Sequence, residues 1–191
     1  MANASTTGFG LKPIKMVGQS DENMGLAEFP VAASSTAIYF QDLVVALATG
    51  YAGVAATDVT HGLGSLNGVF YTDTTSLKPT WKNYLPGSIT ATDIKALINS
   101  NPLQMYEVRT NNSGASAQTD VFNTANISYS AGVTPNWVSR TTLDDSTLAT
   151  ATKQLKILGV SRDPDNQDLT AAGVVWRVMI NETFALATTG I

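Results

Sequence analysis

The chain has 191 residues, of which 43% are hydrophobic and only 14% charged, and its formal net charge is −4. A chain of this length buries about 70% of its unfolded surface, so it needs no cross-links to form a core. It contains no cysteine, which excludes disulfides, a thiolate zinc site and a cysteine nucleophile. The uncharged polar side chains that replace the missing charges are typical of a protein that packs against other protein copies.

The charge distribution limits the partners. Eleven basic residues stand against fifteen acidic ones, without a basic block. Binding to nucleic acid needs clustered Lys and Arg, so neither DNA nor RNA is expected as a partner. No apolar run reaches the roughly 18 to 20 residues that cross a bilayer, and no membrane partner is expected. Residues 1–8 lack the basic start and apolar stretch of a secretion signal, which predicts synthesis in the cytoplasm.

Residues 1–30 alternate glycine, proline and isolated apolar side chains, which predicts an extended N-terminal arm ahead of a single β-rich domain over residues 31–191. Pro13 cannot donate to a central ladder, so the stretch around it is an edge strand or an arm. The arm either folds back over a sheet edge of its own domain or lies on a neighbouring subunit. In the second case the contacts would come from four apolar side chains: Phe9, Leu11, Ile14 and Met16.

Residues 38–47 form the longest run of strand-forming side chains without Gly or Pro, and the rest of the chain is predicted to be organised around them. The one carboxylate in this run, Asp42, is expected at a bend or bulge that places it in water.

Residues 78–87 contain two aromatic side chains, Trp81 and Tyr84, between two prolines. The prolines stiffen the segment and would hold both rings as one preformed aromatic cluster. This cluster either caps the domain's own core or forms a contact patch, since Trp and Tyr dominate interface hot spots. Stacking on a sugar ring is a third alternative.

The second half of the chain predicts two hairpins. Residues 94–98 alternate as a strand does, although a short helix capped by Thr92 competes, and we expect them to pair with residues 105–109. Residues 154–162 and 173–180 are two strand-forming runs separated by an acidic turn, the best hairpin signal in the chain.

Residues 110–152 are rich in Asn, Ser, Thr and Gly, which predicts a long functional or interaction loop. Its adjacent carboxylates, Asp144 and Asp145, have no partner base, and we interpret them as solvated turn residues. The only histidine, His61, lies in a glycine-rich segment without a second ligand nearby. With no nucleophile-elbow or phosphate-loop motif either, we expect no enzyme, catalytic residue, metal or cofactor.

Together these patterns predict a mainly β protein, an antiparallel β-sandwich or a jelly-roll-like barrel, with an extended N-terminal arm and long loops. Patterning does not decide between a sandwich and a barrel.

Seven segments along the chain form a recognisable set: Gly8-Phe9-Gly10-Leu11-Lys12-Pro13, Ile38-Tyr39-Phe40-Gln41-Asp42-Leu43-Val44, Gly68-Val69-Phe70, Tyr71-Thr72-Asp73-Thr74, Pro79-Thr80-Trp81-Lys82-Asn83-Tyr84, Leu155-Lys156-Ile157-Leu158-Gly159 and Asp163-Pro164-Asp165-Asn166. Together they resemble a known group of proteins, the virion structural proteins of marine tailed bacteriophages of the capsid decoration, or cement, type. In that pattern Gln41 stands where the glycine of a Gly-Asp-Leu-Val turn would be expected.

The resemblance implies a β-rich homotrimer that binds the major capsid protein on the outer surface of the virion head, where capsomers meet. Under this interpretation the arm and the aromatic pair of residues 78–87 contact the shell or sister subunits. The alternative function is a carbohydrate-binding or host-adhesion module displayed on the virion, with Trp81 and Tyr84 as a stacking platform.

Overall fold

The structure, a computed structural model, describes residues 7–18, 25–112 and 114–191. Short 3₁₀ helices occur at Gln118–Asp120 and Phe184–Leu186. Within the described residues, no helix is long and apolar enough to cross a membrane. The strands in chain order are β1 (Lys12–Met16), β2 (Leu26–Pro30), β3 (Leu43–Ala46), β4 (Ala52–Val54), β5 (Gly62–Thr72), β6 (Pro79–Lys82), β7 (Lys95–Asn99), β8 (Gln104–Arg109), β9 (Thr124–Ser128), β10 (Thr142–Ala149), β11 (Leu155–Val160) and β12 (Val175–Ile180).

The strands form two antiparallel sheets of six. Sheet 1 has the order β1-β8-β12-β11-β9-β10, and sheet 2 has the order β2-β7-β5-β3-β4, with β6 also paired to β5. Strand β5 is long enough to pair with β3 near its start and with β6 near its end, both on the side away from β7. The predicted mainly β sandwich is confirmed, and the barrel alternative is not, because the sheets do not close.

Strand β3 lies between two hydrophobic cores. Leu43 and Val45 belong to the core that contains the inward side chains of sheet 1, including Trp176. Val44, on the other face of β3, belongs to a second core on the far side of sheet 2. A strand buried on both faces shows a continuous apolar run instead of alternation. Of the predicted run of residues 38–47, only Leu43–Ala46 is a strand, and that strand contributes side chains to both cores.

The described part of the N-terminal segment is extended and packs on its own domain. Strand β1 pairs with β8 at one edge of sheet 1, and β2 pairs with β7 at one edge of sheet 2. Pro13 thus occupies an edge strand, where its missing N–H removes no inner ladder bond. This is the geometry of the first alternative for the arm; residues 1–6 and 19–24 lie outside the described residues.

Of the two predicted hairpins, one forms. Strands β11 and β12 pair antiparallel, as predicted. Residues 94–98 do contain a strand, β7, but it pairs with β2 and β5 in sheet 2, whereas β8 pairs with β1 and β12 in sheet 1. The predicted pairing of residues 94–98 with 105–109 is wrong, because the turn between them crosses from one sheet to the other instead of folding back.

The prediction of a long loop over residues 110–152 is also wrong, since β9 and β10 lie within it and pair with each other. Their polar side chains satisfy neighbouring backbone groups: Thr147 Oγ1 accepts the Asn126 N–H at 2.8 Å. Asp145 is buried, and its Oδ1 accepts the Gly114 N–H at 2.8 Å, so the expected solvated turn is a strand. Hydrogen-bonded polar residues can occupy a buried strand without leaving an apolar pattern.

Asp42 contradicts a further expectation. Its side chain is fully buried, with no exposed surface, instead of lying in water. Gln41, directly before it, has φ of 68°, the left-handed conformation that a glycine would adopt most easily. The bend was predicted correctly, but it turns the carboxylate inward.

Candidate interaction surface

Two large aromatic side chains lie side by side on one face of sheet 2. Phe70 of β5 and Trp81 of β6 are directly opposite each other in the antiparallel ladder. Their exposed fractions are 41% and 55%. Opposed residues on neighbouring strands have Cβ atoms about 5 Å apart, so the two rings form one continuous apolar surface.

Sheet 1 covers only the other end of this face. Ser65 of β5 and Asn99 of β7 are paired in the ladder and lie under sheet 1. The Ser65 hydroxyl donates to the Leu11 carbonyl oxygen at 2.7 Å. The Tyr106 hydroxyl donates to the Asn99 carbonyl oxygen, also at 2.7 Å. Phe70 lies five residues further along β5, or about 16 Å. The aromatic pair is therefore on the part of sheet 2 that extends past sheet 1.

A glycine fixes the position of the indole ring. A Cβ atom placed on Gly68 would come within 2.8 Å of Trp81 Cζ2, so the ring occupies the space that a side chain at this position would take. Gly68 pairs with Leu97 of β7, which is half-buried on the same face. Because Trp81 rests on the sheet while more than half of it is exposed, binding a partner would cost little side-chain entropy.

An ion pair borders this surface. Lys95 is paired with Phe70 in the ladder, and its Nζ lies 3.0 Å from Glu28 Oε2 of β2. At the end of β5, the Asp93 carboxylate accepts the Thr72 N–H at 3.1 Å. Hydrogen bonds from the Thr72 side chain and backbone lower the pKa of Asp93. We call the surface of Phe70, Trp81, Gly68 and Leu97, with the Lys95–Glu28 pair at its border, the aromatic face.

Tyr84 lies elsewhere. It stacks on Trp137, with ring centroids 4.4 Å apart and an angle of 3° between the planes, and Trp137 also stacks with Tyr39 at 6.4 Å. Lys82 Nζ is 5.8 Å from the Tyr84 ring centroid. Lys82 follows Trp81 in β6 and therefore projects from the opposite face. The prediction that Trp81 and Tyr84 form one cluster is wrong, because strand alternation separates them.

The four apolar residues of the arm have unequal exposure. Leu11 is fully buried in the core of sheet 1 and offers no contact surface. Ile14 and Met16 are half-buried in the edge strand β1, and Phe9, which precedes that strand, is also half-buried. None of the four is an exposed side chain.

Phe70 was not among the predicted contact residues. The sequence contains a signal for its exposure, because successive side chains of a strand point to opposite faces. If Val69 and Tyr71 point into the core, Phe70 between them must point outward. What the pattern does not contain is the pairing with β6, which places Trp81 beside it.

The described residues contain no group of three His, Asp or Glu side chains that could hold a metal ion. Comparisons of the chain with protein-family models, with curated proteins and with solved structures found no match.

Proposed function

We propose that this chain is a structural virion protein of the capsid decoration type, which binds the outer surface of a tailed-phage head between capsomers and stabilises the mature shell. The observation that carries the proposal is the aromatic face, where Phe70 and Trp81 are adjacent, exposed and preformed. Contiguous exposed aromatic surface on a folded domain is characteristic of a protein contact.

The composition supports the same proposal. Only 14% of the residues are charged, and the Lys95–Glu28 pair leaves the border of the aromatic face close to neutral. Binding to the head would then depend on apolar contact and shape more than on electrostatic steering, and would weaken little with added salt.

Modest contacts are sufficient for such a role. A protein that binds the mature lattice but not its precursor stabilises the lattice by mass action. In a trimer the second and third contacts become intramolecular, which raises the overall affinity without any new contact. Closed threefold symmetry matches a site where three capsomers converge.

The test is binding of the purified protein to expanded heads that lack it, measured by co-sedimentation over a concentration series. The double variant Phe70→Ala/Trp81→Ala removes both rings of the aromatic face from exposed positions. We expect it to bind about 100-fold more weakly, since each truncated hot spot costs roughly 1 to 2 kcal/mol. Its thermal midpoint should stay close to that of the parent.

Phe122→Ala is the matched control, because Phe122 is 76% exposed and precedes β9 of sheet 1. It should bind like the parent protein. Failure of the parent chain to bind heads at all would refute the proposed function. Deletion of residues 1–20 is not a clean test of the arm, because it also removes β1 and the core residue Leu11.

The carbohydrate alternative is favoured by one observation, that one side of the Trp81 ring rests on the sheet and the indole is still 55% exposed. Such a ring can stack on a sugar. Glycan binding that is abolished by Trp81→Ala, in a variant that still occupies heads, would show that the aromatic face serves a host glycan instead of the shell.

A further inference from the structure

Three chain segments meet around a single buried carboxylate. Leu11 N donates to Gln41 O at 2.8 Å, which joins the arm to residues 38–42. Phe40 N donates to Trp137 O at 3.0 Å, which joins residues 38–42 to residues 129–141, the connection between β9 and β10. We call these three segments, residues 8–11, 38–42 and 129–141, the seam. Asp42 lies inside it.

The carboxylate of Asp42 is incompletely satisfied. Oδ2 accepts the Tyr39 N–H at 2.8 Å, while Oδ1 is buried without a hydrogen-bond partner in the described part of the chain. The hydroxyls of Ser139 and Thr141 lie beside the carboxyl and favour its charged form. An unmade bond to a buried carboxylate oxygen is costly, and it costs most when the group is ionised.

Within the described part of the chain, no cation is placed to compensate this charge. The titratable side chains that face Asp42 are Tyr39 and Tyr129, neither of which can carry a positive charge, and burial together with the Asp42 charge raises the pKa of Tyr129 to about 12. Arg140 lies within the seam and Lys12 directly follows residues 8–11, but both side chains are exposed. The residues of β5 that contact the seam, Ser65 and Leu66, carry no titratable group.

Burial is the largest influence and raises the pKa of Asp42 from 3.8 to about 6, against the opposing hydrogen bonds. The folded chain therefore binds a proton at Asp42 more tightly than the unfolded chain does. The contribution of Asp42 to the free energy of unfolding is fully present below about pH 4 and is lost as the pH rises through 6.

We propose that Asp42 is a pH-sensitive switch of the seam, which is held closed when Asp42 carries a proton and opens more readily when Asp42 is ionised. A protonated carboxyl can donate a hydrogen bond to the hydroxyl oxygens beside it and buries no charge. Protonation therefore stabilises the closed arrangement of the three segments. The opening is reported by residues 129–141, which include Trp137 of the aromatic stack.

The test is hydrogen exchange of residues 129–141, read by mass spectrometry between pH 4.5 and 7.5 and corrected for the intrinsic rate. In the parent chain, the equilibrium constant for opening should rise about 25-fold across this range, because part of the effect of a shift of about two pKa units falls below pH 4.5. Asp42→Asn keeps the shape and removes the charge. In this variant, residues 129–141 should be protected from exchange at every pH as strongly as they are at low pH in the parent chain.

Glu182→Gln is the matched control, since burial also raises the pKa of Glu182, which lies after β12 and away from the seam. This variant should keep the pH dependence of residues 129–141.

If Asp42→Asn does not fold, the carboxyl carbon of Asp42 in the parent chain is titrated by NMR instead. A midpoint near 4, or pH-independent exchange of residues 129–141 in the parent chain, would overturn the proposal; a midpoint near 6 would support it.

Discussion

At the scale of single residues, the seam depends on glycine. Gly10 has φ of 74°, and a Cβ there would collide with the Gln41 carbonyl oxygen and with the Ser139 side chain. The arm can approach residues 38–42 and the β9–β10 connection this closely only because that position has no side chain. Gly10 is therefore expected to be as important for stability as a core residue.

The variant Gly10→Ala tests this expectation. It should lose about 3 kcal/mol or more of the free energy of unfolding, from left-handed strain together with the steric collision. Gly50→Ala separates the two causes, since Gly50 has φ of 81° but nothing within 4 Å of its Cβ position. It should lose only about 1 kcal/mol. Denaturant unfolding measures both, and equal losses would show that the contacts at Gly10 are unimportant.

At the scale of elements, β3 joins the two cores. Because Val44 and Val45 point to opposite sides, they are buried in different clusters, and each is at most 1% exposed. Neither core is complete without this four-residue strand.

Val44→Ala and Val45→Ala should each lower the free energy of unfolding by about 2 to 3 kcal/mol, from lost transfer energy and an unfilled cavity. Val133→Ala, at a position that is 51% exposed, should change it by less than about 0.5 kcal/mol. Thermal or denaturant melts give these values. A small effect at only one of the two buried valines would show that β3 supports one core and not both.

At the scale of the whole molecule, the resemblance behind the proposed function implies a homotrimer. We expect sedimentation equilibrium at micromolar concentration to give three times the chain mass of 20.1 kDa. Phe70→Ala/Trp81→Ala then distinguishes the two uses of the aromatic face. If the variant remains trimeric but leaves the head, the face contacts the shell, and if it becomes monomeric, the face joins subunits. A monomeric parent chain would contradict the predicted trimer.

The sequence by itself determined the strand-rich class, a strand within residues 38–47, the exclusion of Pro13 from a central strand and the β11–β12 hairpin. Each is encoded in the residues of the strand itself, by an alternating or continuous apolar run or by a missing N–H. Only the tertiary structure decided that β7 and β8 belong to different sheets, that Asp42 turns inward, and that Trp81 meets Phe70 while Tyr84 meets Trp137. These depend on pairings between residues far apart in the chain, which local side-chain patterns do not specify, because the same alternation fits any neighbouring strand.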